Sequence, residues 1–211
     1  MNVQTLPVPY PQACATLEEA CADAPRAFAA TLRFALSRLG NDSRPSMFCT
    51  LQRHQYEHGR LFGRGVEAGG SLLVVEPRKP IEVLWAAEQA LRSGAVAGVV
   101  AVVDQVTLTQ TRRLDLAARE GGASALLLHI REGGLSAARR RWRVGSLPSA
   151  PNPFDQRAPG AFRIRAELVR SRAEPLSMWM LEQDGETHRF RLADRLADRG
   201  LVENGRPAEA A

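Results

Sequence analysis

The sequence predicts an α/β protein with a mostly parallel central sheet flanked by helices and an antiparallel C-terminal extension. Three observations carry that prediction. Residues 81–94 place Ile81, Leu84, Trp85 and Leu91 at helical spacing behind Pro80, a favourable first-turn residue, and stop at Gly94, which can adopt a left-handed cap. Residues 97–103 then run small and β-branched with no polar face, as a strand buried on both sides of a parallel sheet does. Helix, glycine turn and buried strand make the second half of a βαβ unit. Beyond Arg131 the pattern changes to short strand-like segments with Asp184-Gly185 as a turn signal, which indicates antiparallel pairing.

The elements follow in order. Residues 1–15 are Pro-rich and aperiodic and read as an extended N-terminal segment, either a lead-in or a partner-binding arm. Residues 16–200 read as one domain, and 201–211, polar and small, as a flexible tail. From 25 to 39, Phe28, Leu32, Ala35, Leu36 and Leu39 recur at helical spacing with Gly40 as the stop. A short strand at 47–51 precedes the polar stretch 52–58 and a glycine-rich turn, and 71–75 is the next strand. Helix 81–94 comes next, with Trp85 expected in the core because it shares a stripe with Ile81 and Leu84. After strand 97–103, a third helix spans 108–120 and a strand spans 124–130. Residues 148–160 hold four prolines and read as a mobile loop, followed by strands at 162–169, 176–182 and 187–192.

Composition narrows the class. A chain of 211 residues with 45% apolar content builds one sizeable core. No apolar run approaches the ~20 residues of a membrane span, and the N-terminus lacks a signal-peptide pattern, so a cytoplasmic protein is expected. Three cysteines, Cys14, Cys21 and Cys49, match no zinc or redox spacing and read as buried thiols. The net charge of +5 comes from an arginine excess and admits an anionic partner without requiring nucleic acid.

Nucleotide hydrolysis on such a sheet needs a glycine-rich loop ending in Lys-Ser/Thr, because backbone amides and the lysine hold phosphate while the hydroxyl holds magnesium. No such loop is present in the sequence. The nearest imitation, residues 65–71, lacks the lysine, adds Glu67 and precedes a strand rather than a helix. His54 and His58 are four apart and would share a helical face, but no third ligand lies nearby, so a surface role is preferred to a metal site. Asp104 ends the buried strand where a magnesium-holding aspartate would stand. His129 ends another strand at the edge where α/β proteins bind ligands, although a hydrogen-bonded structural histidine is the simpler reading.

The stretch Arg139-Arg140-Arg141-Trp142-Arg143 joins charge to a stacking surface, which suits single-stranded DNA or an acidic protein partner. If Arg139, Arg141 and Arg143 alternate outward on a strand, it is instead a solvated edge that resists aggregation. Arg170 and Arg172 form a second basic pair with the same two readings.

Three blocks together resemble the ImuA proteins, RecA-like accessory factors of bacterial translesion mutagenesis cassettes. They are Leu84-Trp85-Ala86-Ala87-Glu88-Gln89-Ala90-Leu91-Arg92-Ser93-Gly94-Ala95, Arg112-Arg113-Leu114-Asp115-Leu116-Ala117-Ala118 and Arg141-Trp142-Arg143-Val144. A more distant resemblance to the RecA recombinase core runs through Leu128-His129-Ile130-Arg131 and residues 163–172. The resemblance implies a RecA-like fold from about 17 to 192. It places Gln52 where a recombinase has its water-activating glutamate, and His129 where it has a nucleotide-sensing glutamine. It shortens two DNA-lining loops to turns at 108–112 and 131–135, and matches Arg170 and Arg172 to a basic pair that reaches a neighbouring subunit's nucleotide. It therefore implies a protein without a phosphate-binding loop, cofactor or catalysis that acts in SOS-induced translesion synthesis. Its implied partners are an ImuB-like Y-family polymerase homologue and a DnaE-type polymerase, with RecA and single-stranded DNA as further candidates. A SulA-like cell-division inhibitor and a DNA-dependent ATPase of the recombinase family are the alternatives.

Overall fold

The strand at the centre of the sheet is one that apolar periodicity does not reveal. β1 (Leu17–Ala22) has the sequence Leu-Glu-Glu-Ala-Cys-Ala, a composition poor in β-formers, yet its first five residues are all buried. The computed structural model describes residues 9–39, 43–61, 71–155, 157–187 and 189–193. After β1 come a 3₁₀ turn at Pro25–Ala27, α1 (Phe28–Ser37), β2 (Ser46–Cys49), α2 (Gln52–His58), β3 (Leu72–Val75) and α3 (Pro80–Arg92). β4 (Gly98–Val103), α4 (Leu108–Glu120), β5 (Ser124–His129), β6 (Arg140–Leu147), β7 (Arg163–Ser171), β8 (Met178–Gln183) and β9 (Phe190–Leu192) follow among the described residues. The strands form one sheet in the order β3-β2-β4-β5-β1-β6-β7-β8-β9. Pairing is parallel from β3 to β6 and antiparallel from β6 to β9, as expected.

Two cores sandwich the sheet. α3 and α4 cover one face through Val83, Leu91 and Leu114 against Leu17, Val99 and Leu127. α1 covers the other through Phe34 and Leu36 against Val100, Leu128, Trp142, Ile164 and Trp179. All six residues of β4 are buried, as its uninterrupted apolar run requires.

The buried row of α3 is Val83, Leu84, Ala87, Glu88 and Leu91. Ile81 and Trp85 stand 60% and 62% exposed, which corrects the expected core role of Trp85. The row Val83–Ala87–Leu91 lets the helix lie close to the sheet at the small Ala87, and this turns the indole to the flank. The helix ends as expected: Gly94 has φ 66°, and Arg44 donates to the carbonyls of Gly94 (2.9 Å) and Gly122 (3.0 Å) beyond the ends of α3 and α4. Residues 108–112 are the first turn of α4, closed by a Thr107–Gln110 capping box, and not a shortened loop.

Residues 9–15 carry no regular structure but are pinned to the domain. The Tyr10 ring lies 5.9 Å from Trp142 and 5.7 Å from Trp179, and the Pro11 and Gln12 carbonyls accept from Arg38 and Arg140. This part of the N-terminal segment is a strap over the aromatic core rather than a free arm. Residues 1–8, Gly40, the 65–70 part of the glycine-rich imitation and the tail 201–211 lie outside the described residues. Cys21 and Cys49 are buried thiols; Cys14 is half-buried, and all three are free.

Candidate functional site

The C-terminal ends of the parallel strands meet along one edge, where an α/β sheet of this order binds its ligand. The central β1 leads into α1 through Asp23-Ala24-Pro25-Arg26-Ala27, without glycine or lysine. The Asp23 amide donates to the Val144 carbonyl (2.9 Å), and its carboxylate accepts from Arg165 (2.8 Å). That carboxylate lies over Gly145, where a Cβ would stand 2.1 Å from Asp23 Oδ2. A fixed negative charge thus occupies the turn, and the Ala27 cap of α1 makes no side-chain hydrogen bond.

Next along the edge, Asp104 follows β4 and is bound by Arg53, with His54 Nε2 at 3.9 Å. These residues line a polar cleft of about 420 Å³ with Glu57, Gln105 and Arg131. Gln52 sits in the first turn of α2, past the end of β2, with its amide on the Pro77 carbonyl (3.0 Å), so it does not end a strand as expected. Among the described residues no group of three or more His, Cys, Asp or Glu side chains could hold a metal.

His129 does end β5, 2% exposed, with Nε2 3.5 Å from Glu19 Oε1 on neighbouring β1. Glu19 also accepts from Arg141 (2.8 Å). Burial alone would raise the Glu19 carboxyl, but the nearby His129 ring, the Ser136 hydroxyl and the Arg141 guanidinium outweigh it and hold the group at about 2. The structural reading of His129 is the one its burial supports.

The basic stretch is where sequence and structure differ most. β6 lies between β1 and β7 and is not an edge. Glu18 on β1 accepts from Arg38 (2.7 Å), Arg140 (2.8 Å) and the Trp142 indole (2.7 Å), and Arg140 also pairs with Glu174. Arg140 is 5% exposed and Trp142 is fully buried, so neither offers a docking or stacking surface. The cause is register: Glu18 stands beside Arg140, and Ala20 beside Trp142, on the face that α1 covers. Arg141 and Arg143 take the opposite face, paired with Glu19 and Glu132. Arg170 donates to the Ser136 and Ala138 carbonyls, and Arg172 to that of Ala137. Together they clamp the loop 130–139 that leads into β6, and Arg139 adds a backbone bond to Leu17 O (2.8 Å).

The residues that organise this arrangement, Glu18, Glu19, Arg38 and Glu174, carry no motif. A faint signal existed: two adjacent glutamates inside a small-residue segment need two cationic partners on opposite faces if that segment is a strand.

No protein-family model matches the chain. Protein ImuA of Caulobacter vibrioides, from strains NA1000 / CB15N and ATCC 19089 / CIP 103742 / CB 15, is 34% identical over 156 residues. The match covers 67% of this chain and 63% of that protein, so the chain spans less than two thirds of the curated relatives it matches. Among solved structures, the RadB recombinase superposes with a TM-score of 0.51 at 14% identity, over 84% of this chain and 90% of that one. That likeness concerns fold alone, and the fold is RecA-like. SulA from Pseudomonas aeruginosa aligns over 56% of this chain and 98% of its own with a TM-score of 0.42 at 18% identity, too loose a superposition to carry weight. A RecA-like sheet and one third identity across the matched length agree: the chain belongs to the ImuA family.

Proposed function

We propose that this protein is a non-catalytic, RecA-like accessory factor of SOS-induced error-prone translesion synthesis, working by contact with an ImuB-like polymerase homologue and a DnaE-type polymerase. Family membership supports the cellular setting. The turn after β1 supports the absence of catalysis. A nucleotide enzyme on this sheet would place glycines and a lysine there, and this chain places Asp23, tied to Arg165 and lying against Gly145. Gln52, which has no carboxylate to activate water, and Asp104, neutralised by Arg53, point the same way.

Purified full-length chain, titrated with labelled ATP and magnesium, should show no saturable binding in the micromolar range; saturable binding overturns the non-catalytic reading. Co-purification with the ImuB-like protein and the DnaE-type polymerase should give a stable complex, and loss of the chain should lower damage-induced mutation frequency. Normal mutagenesis in its absence would sink the assignment.

A further inference from the structure

α4 carries a ridge that the sheet does not use. Leu108, Arg112, Leu116 and Arg119 follow one another at helical neighbour spacing, so they line one side of the helix. Leu108 is half-buried, Leu116 is 50% exposed, and both arginines are exposed. The ridge forms one wall of an open groove of about 420 Å³, and Ala137 and Arg172 form the other. Both walls are fixed in place. Ala137 N donates to Thr111 Oγ1 (3.0 Å), and Arg172 donates to the Ala137 carbonyl (3.1 Å), which ties the loop 130–139 to α4 and to the end of β7. A groove held in this way needs little further ordering when it is filled.

Its charge is one-sided. Three guanidiniums line it against one carboxylate, and that carboxylate is already engaged: Asp115 accepts from Leu17 N (3.1 Å) and from Arg119 (2.7 Å). Among the described residues Arg112 has no hydrogen-bond or ion-pair partner, and Arg172 meets a backbone carbonyl but no carboxylate. An occupant must therefore bring negative charge, and it must also cover the exposed face of Leu116. Arg112 and Arg119 are two helical turns apart, about 10.5 Å along the axis, with Leu116 between them. An extended segment rises about 3.3 Å per residue, so acidic side chains three residues apart match the two arginines and leave an apolar side chain over the leucine. A nucleic-acid strand is the poorer fit, because the groove has no aromatic ring on which a base could stack and places leucine where phosphates would run.

We propose that this groove receives an acidic segment of a partner protein that carries an apolar side chain between its acids. The carboxylates meet Arg112 and Arg119, Arg172 closes from the other wall, and the apolar side chain covers Leu116. The inference rests on the reading that the chain works by contact, but peptide binding is measured apart from ATP binding and mutagenesis, so either can fail alone.

Fluorescence anisotropy of the full chain with a labelled peptide repeating Asp-Leu-Glu tests it. Binding should be saturable and weaken with added salt, while the counterpart repeating Lys-Leu-Lys should not bind. Arg112→Glu should weaken binding by about tenfold or more, and Leu116→Ser, which alters no charge, by several-fold, both with unchanged circular dichroism melts. Arg157→Glu makes the same change in net charge away from the groove and should bind as the wild type does. It lies in the loop 148–162, expected to be mobile but built instead: Pro151 and Pro159 form an antiparallel bridge, and Asp155 Oδ1 accepts from the Arg157 amide (2.9 Å). Absence of saturable binding, or equal losses in Arg112→Glu and Arg157→Glu, overturns the proposal. So does tighter binding of labelled oligothymidylate than of the acidic peptide, which would give the groove to nucleic acid, or self-association abolished by Arg112→Glu, which would give it to a second copy.

Discussion

Glu18 on β1 accepts the indole N–H of Trp142 on β6 at 2.7 Å, in the interior of the sheet. The same carboxylate holds Arg38 and Arg140, and the Arg38 guanidinium lies 5.2 Å from the Trp142 ring centroid and 5.4 Å from that of Tyr10. One buried acid therefore gathers α1, β1, β6 and the N-terminal strap. It also turns a stretch that resembles a nucleic-acid surface into core.

That geometry sets a large cost for losing the acid. Glu18→Ala strands two guanidiniums away from water and should lower stability by about 3–5 kcal/mol, read as a shift in the urea midpoint. Glu18→Gln keeps one acceptor oxygen but removes the charge and turns an amide NH2 towards donors, so its loss should fall between wild type and alanine. A cost below about 1 kcal/mol for the alanine variant would mean that water or rearrangement satisfies both arginines.

The arginines of the stretch should separate by role. Arg140→Ala breaks two ion pairs, one of them fully desolvated, and should cost about 3 kcal/mol. Arg143→Ala removes a pair with Glu132 whose partners are 41% and 69% exposed, and should change stability by no more than about 0.5 kcal/mol. A binding test of the basic stretch should therefore combine Arg139 and Arg143 and leave Arg140 and Arg141 in place, because removing either strands a buried glutamate and confounds binding with unfolding. Equal effects of Arg140→Ala and Arg143→Ala in chemical denaturation would refute the distinction.

Acid should unfold the protein through two carboxylates. Glu174 is held at about 2 chiefly by its hydrogen bond to Arg140, and Glu19 also lies at about 2 because His129, Ser136 and Arg141 outweigh its burial. In the unfolded chain both return to about 4.3. A carboxylate with a depressed folded value binds fewer protons when folded, so its stabilisation is complete above the unfolded value and disappears as pH falls towards 2. Urea midpoints should be level near neutrality and decline between about pH 4.5 and 2. In Glu19→Gln that decline should be shallower; an identical slope would remove Glu19 from the acid transition.

Much of this fold is legible in the sequence because it follows simple periodicities. The all-apolar β4 and the capped α4 are written in consecutive residues. β1 is not, because its strand conformation depends on Arg38, Arg140 and Arg141, which are remote in sequence. The same dependence hid the fate of the basic stretch, since alternation along β6 shows that Arg140 and Arg141 face opposite sides without showing which side is covered. α2 shows in the sequence only as a polar stretch, since seven mostly polar residues carry no apolar stripe. The Asp23 turn has no glycine to mark it as the place of a phosphate loop, and β1 before it carries no strand periodicity.

Trp85 gives a direct check on the face that α3 presents. The chain has three tryptophans; Trp85 is 62% exposed, while Trp142 and Trp179 are 0% and 5% exposed. Fluorescence of the native protein should therefore split into one component open to acrylamide and one shielded, and Trp85→Phe should delete the open component. Trp85→Ala should cost well under the roughly 3–5 kcal/mol of a core tryptophan truncation. Together with Ile81, one helical turn earlier, it leaves an apolar flank on α3 that stability does not require. Uniformly shielded emission would place the indole back in the core and overturn the orientation of α3 on the sheet.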